Sequence, residues 1–467
     1  MTAIDPALEA QLDATIEARH ASYLELLRIP SISGLPQHAA DCRRAADWIV
    51  AELNRIGFEH AAAEETAGLP IVYADWLHAD GAPTILVYCH YDVQPVDPLD
   101  EWETAPFDPF IRFGRVVGRG AADDKGQISM HLRAAEAFLA TRGTLPVNLK
   151  FVFEGEEESS SINIPIWLRD NKARLDCDAV IISDTGFFEG NRPAIMLGLR
   201  GLLYTQIDVT GCATDVHSGG YGGVVENPAN ALARIIAELK DRDGVIQVPG
   251  FYDDVQELSP DERARVAAIP VHEETFLEDT GAKSLHGETG YSLLERIGYR
   301  PTLDVNGIWG GFQGEGSKTI IPGKAHAKIS CRLVPDQDPE ALFEKLKAYV
   351  LEVAPPGVQV EVRNLGTGKP TVVHADDPIA EAAARALEVT FGAKPYFIRG
   401  GGSIPVAEVF DHVLGRPPLL LGFANPDDHS HAPNEFMRLG NYETGIRTIC
   451  RLWDDLAEMS VLQESVA

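Results

Sequence analysis

Thiol patterning is what this chain most plainly lacks. Its six cysteines (Cys42, Cys89, Cys177, Cys212, Cys331, Cys450) are scattered through 467 residues, with no two in C-x-x-C spacing. That argues against a thiolate zinc site or a disulfide framework, and for buried free thiols in a reducing compartment. No run reaches the roughly 18–20 apolar residues of a membrane span, so no membrane partner is expected. Basic charge is also scarce, 40 Lys+Arg against 70 Asp+Glu for a net −30, which argues against a nucleic-acid partner and leaves carboxylates available for cations. Internal repeats and low-complexity segments are missing. The opening MTAIDPALEAQLDATIEARH has neither the basic region nor the apolar core of a signal peptide. It reads as an amphipathic helix, and a cytoplasmic location is the expectation. What is present is ordinary for a globular protein: 45% apolar residues, in a chain long enough for two cores.

The order of elements suggests how the two cores are arranged. After the first helix, Pro30 turns the chain into a loop and a helix follows over 39–56. Strands are expected at 59–62, 71–76 and 84–90, then helix 126–141, strand 148–154, helix 165–169 and strand 179–183. Strands alternating with helices imply a mainly parallel, helix-covered sheet, an α/β fold. From about residue 202 the texture changes. Strand 203–209, helix 227–241, strands 303–308 and 325–333, helix 339–352 and strand 358–363 follow the ferredoxin-like β-α-β-β-α-β order. Residues 248–300 are too many for a plain loop and should hold short helices. Helix 379–391, strands 394–399 and 419–422 and a final helix 442–460 resume the first texture. The reading is therefore a discontinuous α/β domain, 1–201 and 372–467, with an α+β domain, 202–371, inserted in it.

Three of the expected strands end in polar clusters: His90 and Asp92, Glu156-Glu157-Glu158, and Asp184. Crevices at the carboxyl ends of a parallel sheet are where such folds place their sites. His90 and Asp92, two apart, point to one side of their strand. Asp123, Asp124 and His431 extend the set. Imidazoles and carboxylates suit zinc, manganese or cobalt, and two ions about 3.5–4 Å apart can polarise a carbonyl and acidify a shared water. Each residue also has a plainer reading. Asp123-Asp124 could start a helix, the glutamates could form a solvated loop, and Asp184 could cap a turn. Spacing alone leaves the two readings level.

Longer motifs tip the balance. Tyr88-Cys89-His90-Tyr91-Asp92-Val93-Gln94-Pro95, Gly118-Arg119-Gly120, Asp123-Asp124-Lys125-Gly126, Glu154-Gly155-Glu156-Glu157-Glu158-Ser159 and His431-Ala432-Pro433-Asn434-Glu435 resemble the co-catalytic metallopeptidases. That family includes aminoacylase, carboxypeptidase G, succinyl-diaminopimelate desuccinylase and the cytosolic dipeptidases. Trp102, Pro106-Phe107, Asp215-Val216-His217-Ser218-Gly219 and Gly401-Gly402-Ser403-Ile404-Pro405 are most similar to the carnosinase-type and cytosolic nonspecific dipeptidase branch.

The resemblance implies a phosphorylase/hydrolase-like catalytic domain with an inserted lid and dimerisation domain, two divalent ions (Zn or Mn) per subunit, and a homodimer acting on a small peptide or amide. Asp123 would bridge the ions, His90 and Asp184 completing one ligand set and Glu158 and His431 the other. Glu157 would be general base and acid, with Asp92 orienting His90 from behind. His217 would reach across the dimer to the developing oxyanion, and Arg332 would take the substrate carboxylate in a bidentate fit. Thr319 and Ser403 match substrate-contacting positions. The family commonly has a cis peptide where Asp123 meets Asp124. Hydrolysis of a dipeptide is the implied reaction, with N-acyl-amino-acid deacylation or carboxypeptidase action as the alternative. His429 is read as a bystander. One departure is Ser160, where relatives usually carry glycine, a residue that tolerates positive φ.

Overall fold

The computed structural model describes residues 4–402 and 405–464. Within these the chain forms two compact units, one of 4–197, 373–398 and 405–464, the other of 198–372 with 399–402.

The first unit is built on a mixed sheet ordered Glu59–Glu64, Ile71–Trp76, Asn148–Glu154, Thr84–His90, Ala179–Ile182, Leu419–Leu420, Ala194–Leu199. Its centre is parallel: Thr84–His90 pairs in parallel with Asn148–Glu154 and with Ala179–Ile182, and Leu419–Leu420 joins Ala179–Ile182 in the same sense. Antiparallel strands close the flanks. The central strands are uninterrupted apolar runs because both faces are covered. Ile85, Val87 and Cys89 belong to the large core. It is shared with helices Ala39–Ile56, Lys125–Arg142, Pro378–Phe391 and Leu439–Glu464. Tyr88 points the other way and meets Phe410 of helix Pro405–Leu414 edge-on, 5.5 Å between ring centroids.

Four features of this unit depart from the sequence reading. The single amino-terminal helix is broken into Pro6–Ala14 and Ile16–Leu27 at Thr15, whose hydroxyl donates to the Gln11 carbonyl at 2.8 Å. A small sheet of Phe110–Arg112, Arg115–Val117 and Phe436–Arg438, strand Ala194–Leu199 and helix Pro405–Leu414 were not expected at all. Three-residue strands carry too little alternation to announce themselves.

In the second unit the four-stranded sheet runs Thr302–Gly310, Lys324–Leu333, Gly201–Thr210, Gln359–Gly368, antiparallel throughout. With helices Pro228–Leu239 and Pro339–Val353 packed on one face, this is the ferredoxin-like arrangement the element order implied. The alternation of Gly201–Thr210, strictly buried and half-buried in turn, reflects a sheet covered on one side. Short helices Pro260–Ala267, Glu273–Thr280 and Leu293–Gly298 fill the long connection, the first and last opened by capping boxes at Ser259 and Ser292.

Candidate metal centre

His90 is the last residue of strand Thr84–His90 and has no solvent exposure. Its Nδ1 faces the Asp92 carbonyl at 3.1 Å and the Asp92 carboxylate at 3.4 Å. A proton on Nδ1 satisfies that partner and leaves the Nε2 lone pair pointing forward. Nε2 looks at Asp123 Oδ1 at 3.0 Å and Asp184 Oδ1 at 3.6 Å. Asp123 turns its second oxygen the other way, to His431 Nε2 at 2.9 Å, and that same nitrogen lies 3.2 Å from Glu158 Oε1. One carboxylate thus offers an oxygen to each of two donor groups. His90, Glu157 and Asp184 form one group and Asp123, Glu158 and His431 the other, the donor atoms of each lying within 4.8 Å of one another.

Local structure explains how these residues arrive. Asp184 follows the end of Ala179–Ile182, which lies in parallel register beside Thr84–His90. Asn148–Glu154 runs through Gly155 into the short turn Glu157–Ser159. A β-carbon at Gly155 would lie 2.2 Å from the Tyr91 hydroxyl oxygen, so only glycine fits the bend. Asp92, fully buried, accepts from the N–H groups of Glu157 at 3.2 Å and Glu158 at 3.0 Å, fixing that turn against His90. Glu156 looks away, accepting from Leu69 N–H and Asn163 Nδ2. Ser160 holds φ at +93°, the left-handed region that glycine adopts without cost. The peptide between Asp123 and Asp124 is cis.

Charge in the site is unbalanced. Four carboxylates (Asp123, Glu157, Glu158, Asp184) share it with two imidazoles. Burial, reinforced by Asp184, Glu158 and Asp92, pushes the Glu157 carboxyl up to about 8, and burial lifts Asp184 to about 6. Against the burial penalty, the neighbouring imidazoles of His431 and His90 hold Asp123 well below the usual carboxylate range. Its hydrogen bonds to Asp123 and Glu158 raise His431 to about 10. Carboxylates crowded this way, with imidazoles and no thiolate, fit divalent cations of the zinc or manganese kind. His429 stays out of both groups, its ring packed edge-on against Phe436 at 5.7 Å.

A family model described as peptidase family M20/M25/M40 matches residues 86–455. The chain belongs to that family. It is 34% identical over 450 residues to a Cys-Gly metallodipeptidase of Schizosaccharomyces pombe, covering 92% of this chain and 94% of the relative. To the human Beta-Ala-His dipeptidase it is 32% identical over 396 residues, covering 84% and 78%. Among solved structures, an M20 family metallo-carboxypeptidase from Sulfolobus solfataricus superposes with a TM-score of 0.81 at 32% identity, covering 94% of this chain and 99% of that one.

Beyond the residues flagged from sequence, this peptidase scaffold contains supports that sequence reading did not single out. Glu435 is wholly buried and takes four donors: Arg119 Nη1 at 2.7 Å and the N–H groups of Gly120, Ala122 and Asp123 at 2.8–3.1 Å. It pins the loop that presents Asp123. Gln94 donates to the second Glu158 oxygen at 2.6 Å. Gln127, on helix Lys125–Arg142, reaches the carbonyls of Ala122 and Thr185 and accepts from Phe423 N–H, so one amide ties three strand-end loops. All three lie inside or beside quoted motifs, and the cue was a polar residue four positions from a candidate ligand.

In the second unit, His217 and Thr319 come together. Val216–His217 pairs with Ile320–Ile321, and Ser218 N–H donates to the Thr319 carbonyl at 3.0 Å. His217 is exposed and its Nδ1 accepts from Gly219 N–H at 2.9 Å, which in the neutral ring puts the proton on Nε2. Arg332 sits on Lys324–Leu333, opposite Thr302 and Leu202. Ser403 lies outside the described residues.

Proposed function

We propose that this chain is a dinuclear metallohydrolase that cleaves the peptide bond of dipeptides bearing a free carboxylate. The observation that carries the reading is Asp123, with one oxygen toward the His90 group and one toward the His431 group. Two divalent ions, Zn or Mn, would be held by His90 and Asp184 on one side and Glu158 and His431 on the other, with Asp123 between. Ions held there would polarise the scissile carbonyl and acidify a nearby water. Glu157, grouped with His90 and Asp184 and with a carboxyl that burial raises, would take the water's proton and return it to the departing nitrogen. Asp92 keeps His90 and the Glu157 turn in position. The Nε2 proton of His217 stabilises the oxyanion, Arg332 takes the substrate carboxylate, and Thr319 and Ser403 contact substrate.

The catalytic domain would be residues 1–201 and 372–467, which hold the whole of the first unit, and 202–371 the lid and dimerisation domain, in a cytoplasmic homodimer whose partner supplies His217. Exposed Ile308 and Trp309 on the edge strand Thr302–Gly310 support that interface. Acting as a carboxypeptidase or N-acyl-amino-acid deacylase is the second reading, and the similarity to the Sulfolobus metallo-carboxypeptidase favours the first of these two.

The test is Glu157→Gln, assayed on dipeptides, longer peptides and N-acyl amino acids with each metal supplied separately. Two ions per chain should remain while dipeptide turnover falls about a hundred- to ten-thousand-fold. Retained turnover refutes the role of Glu157, and a preference for blocked amino termini overturns the dipeptide assignment.

A further inference from the structure

The second unit contains a cavity of about 240 Å³ that the proposed chemistry does not use. It is smaller than the roughly 300 Å³ and upward of most organic-ligand pockets. Its charged walls come from Arg200, Lys240, Arg296 and Arg300 against Glu288 and Asp304. In a chain of net charge −30 this is a local reversal of sign.

The acids account for only two of the four cations. Arg300 is paired by the Glu288 carboxylate through Nε and Nη2 at 2.8 and 2.6 Å, and Lys240 meets Asp304 at 3.2 Å. Arg296 donates from Nε to the Glu288 carbonyl at 2.9 Å, and Arg200 donates to the carbonyls of Gly401, Arg296 and Arg300 at 3.0–3.4 Å. Among the described residues neither guanidinium has a carboxylate partner, and Arg200 Nη2 makes no hydrogen bond. Burial, and then the charge of Arg332, hold Arg200 down to about 10, with the Asp304 carboxylate acting in the opposite sense. Like charges gathered in a concave, low-dielectric wall concentrate a positive field, and planar guanidinium forks are the side chains that match oxyanions best.

We propose that this cavity binds a small multivalent oxyanion between the guanidinium groups of Arg200 and Arg296. Neutralising two charges that no carboxylate meets in a hydrogen bond is the driving term, and Nη2 of Arg200 supplies a donor without a partner among the described residues. Arg200 also holds the segment before Ser403, its N–H donating to the Gly402 carbonyl at 3.1 Å, so an occupant would steady that segment.

The experiment is calorimetric titration of the metal-loaded protein with inorganic phosphate, succinate and, at matched ionic strength, chloride. Saturable binding of phosphate or succinate is expected, with no equivalent heat from chloride. Whichever of the two binds tighter distinguishes a phosphate from a carboxylate ligand. Arg296→Gln should weaken the binding tenfold or more, whereas Asp304→Asn, which removes an acid from the rim, should strengthen it about threefold. Phosphate held at the metal centre would survive Arg296→Gln unchanged. That result, or heats that merely follow ionic strength, overturns the proposal. Dipeptide turnover is measured separately, so the loss of one reading leaves the other standing.

Discussion

At the scale of single residues, the site depends on carboxylates whose two oxygens have different duties. Asp92 shows this most clearly. Its oxygens accept the N–H groups of Glu157 and Glu158 while it faces His90 Nδ1. In Asp92→Asn one of those oxygens becomes an NH2 group pointed at a backbone N–H, so the turn must move. Loss of a group that orients a metal-binding imidazole weakens metal about 10- to 100-fold. Competition against a chelator should register that loss along with reduced turnover, and an unaltered metal affinity would show that Asp92 is dispensable. Spacing made His90, Asp92, Asp123 and Asp184 candidates, since each stands at or near an element end, and the resemblance of the longer motifs supplied their expected roles. Neither could reveal that Asp92 holds the turn 65 residues further on. A hydrogen bond to a backbone N–H leaves no residue-type signature at its far end.

Among elements, the parallel strands were legible and the parts that brace them were not. Uninterrupted apolar runs ending in polar residues read directly as buried strands at a crevice. The Phe110–Arg112, Arg115–Val117 and Phe436–Arg438 sheet was invisible, yet pairing Phe436 with Val117 is what carries Glu435 to Arg119 and the loop before Asp123. Glu435→Gln leaves the Arg119 guanidinium buried without its counter-charge, a change that costs about 3–5 kcal/mol. Urea unfolding should report a loss of that order together with weaker metal retention. A variant as stable as the parent would mean that the loop is held by other contacts.

For the molecule as a whole, the ferredoxin-like order was readable because six elements in sequence specify it. A homodimer was implied by the resemblance alone, since residues that could form an interface look like those of any half-exposed strand. Edge strand Thr302–Gly310 bares Ile308 at 63% exposure, and an apolar edge of this kind invites pairing. Two chains of charge −30 repel, so apolar burial must outweigh that repulsion in any dimer. Ile308→Lys is expected to shift the mass seen by light scattering from two chains to one, with dipeptide turnover lost in step if His217 acts from the partner subunit. A parent protein that is active as a monomer would remove the basis for that role.

The Gln127 amide has an implication for redesign. Because it ties the loops at Ala122, Thr185 and Phe423 to one helix, those loops form a single heritable block. Grafting one from a relative of different specificity would import a loop whose anchor was matched to two others. New substrate ranges should therefore be easier to reach by exchanging all three with residue 127 than by varying any one.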